Sequence, residues 1–289
     1  MGGPAFLSHD GRPVKNNVAA IMAHADDIEY SAGATFAKRI AVGEGALYGV
    51  LSRCNSGWTR TQDGGFYVPS REIVPRRRQE AEAAARAFGA ELYYGDLLEN
   101  CYTTLAGDRV APGYRAAESV DGGPLASPVP PDDLPEGSLF LTAAGAGATW
   151  GGHPAVRALV DLLVAWEPAL VIGQPFGDMN PDHFLAAQIV AIAWRIASER
   201  ADMGPYWVPV VTVPAKGMVF PVLTPNRFVD VTGFEEKCLR VLACHVSQGG
   251  HLPGVQERRR SEWGAWRGLC GFESAEAFLE VYPRRSTVG

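Results

Sequence analysis

The residues best suited to chemistry in this sequence lie in the run Ala23-His24-Ala25-Asp26-Asp27-Ile28-Glu29. His24 and Asp27 are three residues apart, and one helical turn can place both side chains on the same side. An imidazole and a carboxylate are suitable ligands for a divalent ion such as Zn²⁺. Asp26 lies between them and points elsewhere, so its carboxylate can act as a general base toward water at such an ion. The alternative is that Asp26 and Asp27 cap a helix N-terminus, where negative charge is favourable.

A second cluster, Asn180-Pro181-Asp182-His183, again combines an imidazole with a carboxylate. A catalytic zinc ion typically takes three protein ligands and keeps one position open, so His183 is predicted to be the third ligand. Asp182 is predicted to orient an imidazole through a hydrogen bond. The alternatives are N-capping for Asn180 and Asp182, and a partly buried helix position for His183.

Both clusters follow predicted strands. Apolar, β-rich runs alternate with segments of helical periodicity, which predicts an α/β fold with a mostly parallel sheet and helices on both faces. Such sheets bind ligands at the carboxyl ends of their strands. Strands are predicted at 18–23, 46–52, 91–94, 138–143, 169–173, 208–214 and 227–231, and helices at 28–42, 71–88, 154–166, 182–199, 234–246 and 255–268.

Residues 105–137 interrupt this alternation. The segment is rich in Pro, Gly and Asp and has no periodicity, and a loop of that length inside a compact domain is usually functional. We therefore expect a specificity loop there. No internal repeat and no shift in composition divides the chain, so residues 1–289 are predicted to form a single domain.

The composition excludes several classes of protein. The 289 residues carry a formal net charge of −6, which argues against nucleic acid as a partner. No stretch approaches the roughly 20 apolar residues of a membrane span, and no secretory signal is visible. Five cysteines without a C-x-x-C pair indicate neither a disulfide framework nor a zinc ribbon. We expect a cytoplasmic protein that acts on a small molecule, and the sequence is compatible with a homo-oligomer.

The two clusters resemble the motifs of the LmbE-like, or PIG-L, zinc deacetylases. The run 24–35 is similar to the family's H-P-D-D-x-E signature and the small-residue helix start that follows it. Arg77 and Glu80 match its R-x-x-E helix, and residues 180–183 stand where the family has H-x-D-H. Lys237, residues 245–248 and residues 276–278 resemble its K…S-Q and E-x-F segments, so the resemblance covers roughly residues 18 to 280.

The resemblance implies a Rossmann-like fold, a single zinc ion and hydrolysis of an N-acyl group, commonly acetyl on an amino sugar. Fe²⁺ or Co²⁺ would also suit nitrogen and oxygen ligands. Asp96 falls where family members contact a sugar hydroxyl, and Arg77 is either substrate-binding or structural. The site residues carried over by the resemblance are the ligands His24, Asp27 and His183 and the general base Asp26.

Two positions depart from the family pattern. Ala25 replaces the usual Pro, which removes some rigidity from the turn. Asn180 replaces the first His of H-x-D-H. An asparagine can donate a hydrogen bond to an oxyanion but cannot transfer a proton, so Asp26 is predicted to deliver the proton to the leaving amine.

The sequence also allows other interpretations of its function. Trp150, which could stack on a sugar ring, and His153 are predicted to contact substrate. The same metal chemistry would serve an amidase of a thiol or peptide-like conjugate. Gly145 to Gly151 form a G-x-G-x-x-x-G run after the predicted strand 138–143, which would suit a nucleotide-binding module whose acidic pairs only cap helices.

Overall fold

The computed structural model describes residues 17–55, 58–68, 70–99, 102–103, 109–110, 139–149, 151–175, 180–210, 214–215, 218–219 and 223–282. The strands are Asn17–Met22 (β1), Gly45–Ser52 (β2), Trp58–Thr61 (β3), Gly64–Tyr67 (β4), Glu91–Leu97 (β5), Tyr102–Thr103 (β6), Arg109–Val110 (β7), Leu170–Ile172 (β8), Tyr206–Pro209 (β9), Pro214–Ala215 (β10), Met218–Val219 (β11), Arg227–Asp230 (β12) and Ala275–Tyr282 (β13). The α-helices are Asp27–Ser31 (α1), Gly33–Ala41 (α2), Ser70–Phe88 (α3), Leu139–Thr149 (α4), Pro154–Trp166 (α5), Pro181–Ala197 (α6), Glu235–Leu242 (α7), Pro253–Gly264 (α8) and Arg267–Cys270 (α9), and Val246–Gln248 form a 3₁₀ turn.

Seven strands form the central sheet, in the order β12-β13-β9-β8-β1-β2-β5. The pairs β9-β8, β8-β1, β1-β2 and β2-β5 are parallel, while β13 pairs antiparallel with both β9 and β12. This confirms the predicted α/β class with a mostly parallel sheet. From β1 the chain continues to β2 on one side and reaches β8 later on the other, so a topological switch point lies at the carboxyl end of β1.

The central strand β1 is buried on both faces, as its continuous apolar sequence requires. Ala19, Ile21 and Ala23 pack with residues of α4, α5 and α6 on one face. Val18, Ala20 and Met22 pack with residues of α1, α2, α3 and α7 on the other face. The predicted covering of both faces by helices is therefore confirmed, and it holds the end of β1 rigidly in the middle of the sheet.

The predicted strand at 138–143 is wrong, because residues 139–149 form helix α4. Thr142, Ala143 and Ala146 are buried, a spacing of three to four residues that fits one helix face. A short apolar run does not distinguish a buried strand from a buried helix, which explains the error. The glycine run loses its phosphate-loop context as well, since Gly145 and Gly147 lie inside the helix.

The predicted helix 28–42 consists of two helices that are separated at Ala32. The break turns the start of α2 toward the buried carboxylate of Glu276, which accepts hydrogen bonds from the backbone N–H groups of Ala34 at 3.2 Å and Thr35 at 2.7 Å. A carboxylate is favourable at a helix N-terminus, so Glu276 stabilises α2 in place of a local cap. Arg259 and the Trp263 indole N–H also donate to Glu276.

Sequence analysis did not predict β13, which carries Glu276, nor the β3-β4 hairpin. The predicted strand 208–214 overlaps β9, which begins at Tyr206 and ends at Pro209, while residues 211–213 lie outside the described residues. The predicted helices 234–246 and 255–268 end earlier, at Leu242 and Gly264. Of the predicted specificity loop 105–137, only Arg109 and Val110 belong to the described residues. Within the described part of the chain, no helix is long and apolar enough to cross a membrane.

Candidate active site

Three strand ends bring polar side chains to one place above the sheet. His24 lies two residues beyond β1, Glu99 follows β5, and His183 lies in the first turn of α6, which comes after β8. The Gln174 side chain accepts a hydrogen bond from the Ala23 backbone N–H at 2.7 Å and so joins the ends of β1 and β8. The predicted meeting of the two sequence clusters at the carboxyl ends of neighbouring strands is therefore observed.

His24, Asp27 and His183 converge around a common point, and their ligand atoms all lie within 4.8 Å of one another. His24 Nδ1 is 3.0 Å from His183 Nε2 and 3.3 Å from Asp27 Oδ2. His183 Nε2 is 3.2 Å from Asp27 Oδ1. Two imidazole nitrogens and a carboxylate are a donor set that suits a catalytic zinc ion with one open position, so these three residues could hold such an ion.

The other nitrogen of His24 faces two buried acids. His24 Nε2 is 3.3 Å from Glu99 Oε1 and 3.7 Å from Asp182 Oδ2. A carboxylate that accepts the second ring N–H of a ligating histidine fixes its tautomer and leaves the first nitrogen available for a metal. Glu99 is the nearer acid at this nitrogen, and Asp182 lies beside it on the side of His24 that its predicted orienting role requires.

The acids and imidazoles of this cluster shift one another's pKa values toward the charged forms. Burial alone would lower the pKa of His24, but Asp27, Asp182 and Glu99 outweigh it and raise the pKa well above its usual range. Burial would raise the pKa of Asp27, but the two neighbouring imidazoles hold it well below its usual range. A cation at this point is thus electrostatically favoured, whether it is a proton or a divalent ion.

Asp26 lies beside this cluster and outside it. Its carboxylate accepts a hydrogen bond from the buried guanidinium of Arg77, with Oδ1 2.9 Å from an Nη atom. The Asp26 side chain makes no hydrogen bond that caps α1, so the capping alternative does not account for it. Asp27 Oδ2 accepts from the His24 backbone N–H at 2.8 Å, which holds the turn closed.

Asn180 occupies the N-cap position of α6, and its Oδ1 accepts a hydrogen bond from the Asp182 backbone N–H at 2.9 Å. The capping alternative for Asn180 is therefore observed. Because the carbonyl oxygen of the amide is used in the cap, the Nδ2 group is the part that could donate to a ligand.

The predicted substrate contacts have different locations. Asp96 is exposed, with 81% of its side-chain surface accessible, and pairs with Arg53 on the protein surface. His153 caps α5 through Nδ1, which accepts from the Ala155 N–H, and its Nε2 lies 3.5 Å from the Thr142 hydroxyl. Its contact with substrate stays a prediction. Trp150 lies outside the described residues.

Glu99, rather than Asp96, is the acid that β5 brings to His24, and sequence analysis missed it. The pairing of β5 with β2 shifts register between Val50 and Ser52, so that Leu97 lies opposite Ser52 where an unbroken register would place Asp96. The Asn55 side chain accepts from the Glu99 backbone N–H at 3.2 Å and fixes the segment. The sequence did contain a signal, because Asp96 and Glu99 are both acids that follow the predicted strand 91–94.

A buried network holds the turn that carries His24 and Asp26. The Tyr48 hydroxyl, from β2, donates to the Ala25 carbonyl and lies 3.1 Å and 3.2 Å from the Glu29 carboxylate oxygens. His245 Nε2 lies 3.2 Å from Glu29 Oε1. Burial raises the pKa of Glu29; burial would lower the pKa of His245, but the Glu29 carboxylate raises it. Tyr48 thus supplies rigidity that a proline would otherwise give at Ala25.

If His24, Asp27 and His183 hold zinc, we expect Tyr48→Phe to weaken its binding by about tenfold, because the hydroxyl that fixes the Ala25 carbonyl is lost beside two of these candidate ligands. A competition titration with a coloured chelator measures the effect. Tyr206→Phe is the matched control, since the Tyr206 hydroxyl is buried and has no partner among the described residues. Unchanged zinc affinity in Tyr48→Phe would contradict the role of the network.

Comparison with protein families identifies one match. The profile described as PIG-L, GlcNAc-PI de-N-acetylase, matches residues 19–194, which is more than half of the chain and includes His24, Asp27 and His183. No curated protein matches the chain.

Solved structures of similar fold cover almost the whole chain at low identity. The zinc-inhibited form of teicoplanin deacetylase Orf2 has a TM-score of 0.62 at 16% identity and covers 91% of this chain and 97% of its own. The 4-carboxy-2-hydroxymuconate hydratase GalB from Pseudomonas putida KT2440 has a TM-score of 0.59 at 19% identity, with 94% and 98% covered. The N,N'-diacetylchitobiose deacetylase from Pyrococcus horikoshii has a TM-score of 0.57 at 16% identity, with 91% and 82% covered.

Proposed function

The chain belongs to the PIG-L family, and from this premise we propose that it is a zinc-dependent hydrolase that removes an N-acyl group from a small amino-sugar conjugate. The observation that carries the proposal is the convergence of His24, Asp27 and His183 with the carboxylate of Asp26 beside them. The expected products are a free amine and a carboxylate, typically acetate.

His24, Asp27 and His183 would hold the metal, because they offer two nitrogens and one carboxylate from two separate strand ends. When bound, a zinc ion would acidify water and polarise the acyl carbonyl. Fe²⁺ or Co²⁺ would fit the same ligands. Asp182 and Glu99 would accept the Nε2–H of His24 and keep its Nδ1 directed toward the metal.

Asp26 would take the proton of the attacking water and then pass it to the leaving amine. The guanidinium of Arg77 holds the Asp26 carboxylate from the side of α3, so Asp26 has a fixed position and its second oxygen is available to water. Arg77 is buried, with 3% of its surface exposed, which favours a role in positioning Asp26 over a direct contact with a bulky substrate.

Asn180 would stabilise the negative oxygen that develops when water adds to the acyl carbonyl. Its Oδ1 is engaged in the cap of α6, so the Nδ2 amide is the donor. Asn180 has no proton to give at neutral pH, which leaves the proton transfer to Asp26 alone.

The amino-sugar class is proposed because similar folds belong to a chitobiose deacetylase and a teicoplanin deacetylase. An amidase of a thiol or peptide-like conjugate would use the same residues. The nucleotide-binding alternative loses its basis, because the glycine run lies largely in α4. A hydratase has a similar fold. The experiment therefore also tests whether the protein adds water to a C=C bond rather than hydrolysing an amide.

We expect purified protein to release acetate from N-acetylglucosaminides and to lose at least about 100-fold in rate after metal removal by a chelator, with recovery on addition of one equivalent of Zn²⁺. Acetate release and primary amine formation are measured together, so that both products of the hydrolysis are seen.

Substrate panels provide the controls for this experiment. Larger amides, thiol conjugates and an unsaturated dicarboxylate are tested beside the N-acetylglucosaminides under identical conditions. Full activity in chelator-treated protein would contradict metal dependence. Turnover of the unsaturated acid without turnover of any amide would contradict the hydrolase assignment.

A further inference from the structure

A second cleft lies apart from the residues around His24. It has a volume of about 770 Å³, which is within the range of small-molecule sites, and it opens between the β3-β4 hairpin, helix α3 and the corner that follows α7. None of the metal-binding side chains lines it. Helix α3 separates the two regions, because Arg77 turns inward to Asp26 while Arg76, Gln79, Glu80 and Ala83 line the cleft at helical spacing.

Two arginines from different elements line this cleft. Arg76 belongs to α3, and Arg60 belongs to β3. The stem of Arg60 lies against Gly249, since a Cβ at that glycine would come within 3.2 Å of two of its side-chain carbons. His251 lines the cleft two residues further along the chain. Among the residues that the structure describes, no carboxylate forms an ion pair with Arg60 or Arg76.

Two acids also line the cleft, and neither neutralises the arginines. Glu80 is buried, and both of its carboxylate oxygens accept from Ser247, at 2.8 Å from the backbone nitrogen and 2.6 Å from the hydroxyl. Its two oxygens are therefore engaged by donors other than the two arginines. Asp63 lies at the exposed hairpin turn between β3 and β4, where water screens its charge.

Thr59 provides an independent observation that points to a ligand. Thr59 is one of the residues that line the cleft, only 5% of its surface is exposed, and its buried Oγ1 has no hydrogen-bond partner among the described residues. Leaving a buried hydroxyl without a partner costs about 1–3 kcal/mol, so such a group in a native structure calls for a partner of its own.

We propose that this cleft binds the phosphate group of a small soluble molecule, with Arg60 and Arg76 as charged contacts and the Thr59 hydroxyl as a further donor. The planar fork of a guanidinium matches two oxygens of a phosphate, and two such forks with one hydroxyl can satisfy all of its oxygens. This site is independent of the proposed hydrolysis, since it shares no side chain with it.

Calorimetric titration of the zinc-loaded full chain with inorganic phosphate and with glycerol phosphate tests the site at constant ionic strength. We expect saturable binding of both. The double variant Arg60→Gln/Arg76→Gln is expected to weaken it at least about tenfold, because charge-assisted hydrogen bonds are lost. Thr59→Val is expected to weaken binding about threefold and to leave Tm unchanged or higher, because the hydroxyl has no bond in the unliganded protein.

Arg78→Gln is the matched control. Arg78 lies on the same helix and carries the same charge, but it pairs with Glu82 at 3.4 Å and lies over the Tyr94 ring outside the cleft. Wild-type affinity in this variant supports the site. Absence of saturable binding to the wild type, equal losses in Arg78→Gln and the double variant, or an unaffected double variant would each overturn it.

A second arm separates a soluble ligand from a lipid headgroup. Vesicles containing phosphatidylglycerol are sedimented with the same variants. Binding to glycerol phosphate in solution that exceeds binding to the vesicles supports a soluble ligand. Cleft-dependent binding to the vesicles without binding to glycerol phosphate would overturn it.

Discussion

The Asp26→Ala variant is expected to keep its zinc content near one ion per chain and to lose about 10²- to 10⁴-fold in kcat, the usual contribution of a positioned general base. The reason is geometric, since the Asp26 carboxylate lies outside the set formed by His24, Asp27 and His183 and is held by Arg77. Removing it takes away the proton acceptor but none of the metal-binding atoms. Metal analysis and steady-state kinetics on the same preparation measure both effects.

Asp26→Asn provides a closer comparison, because the amide oxygen can still accept from Arg77 while the group no longer takes up a proton. A similar loss in both variants assigns the effect to proton transfer rather than to packing. Asp161→Asn is the control for loss of a carboxylate, since Asp161 lies on α5 with 77% of its side chain exposed. Normal turnover in Asp26→Asn would contradict the role as base.

His183→Ala is expected to lose both zinc and activity. The variant removes one of the three proposed ligands, whose Nε2 lies 3.0 Å from His24 Nδ1. The imidazole and the carboxylate that remain give an incomplete site. Loss of a hydrogen bond that supports a metal ligand lowers metal affinity by about 10- to 100-fold. We expect zinc affinity to fall by more than this, because a ligand itself is lost. Inductively coupled plasma analysis after dialysis measures the metal that remains.

The exposed His251 provides the control for this variant, since His251→Ala removes an imidazole from the second cleft and none from the metal-binding set. Thermal unfolding in the absence of metal checks that His183→Ala still folds. A variant that kept full zinc content and activity without His183 would show that the proposed ligand set is incorrect.

The convergence of His24, Asp27 and His183 was predictable because the signals for it are local to each of the two sequence clusters. His24 and His183 each follow an apolar, β-rich run that favours a buried strand, and parallel strands end at a common edge of the sheet. The assignment of α4 failed because a short run of small apolar residues packs equally well as strand or helix. Glu99 was missed because the register shift between β2 and β5 decides which acid faces His24, and register depends on the paired strand.

The side chains that contact the turn carrying His24 and Asp26 could not be predicted from the sequence, for a different reason. Tyr48 contacts Ala25 through its hydroxyl, and this contact depends on the spacing of β1 and β2 and on the direction of a side chain. The carboxylate of Glu276 reaches α2 from 241 residues away, as counted from Thr35. Contacts of that separation carry no signal in local periodicity, and they become visible only when the sheet order is known.

The contacts of Glu276 and His245 have a consequence for the order of events during synthesis. Chains fold from the N-terminus as they leave the ribosome, but these two partners of α1 and α2 come much later in the chain. A nascent chain that ends before His245 has neither the imidazole beside Glu29 nor the carboxylate at the start of α2. Helices α1 and α2 therefore make these contacts only after β13 has been translated, and we expect them to be accessible to chaperones and proteases until then.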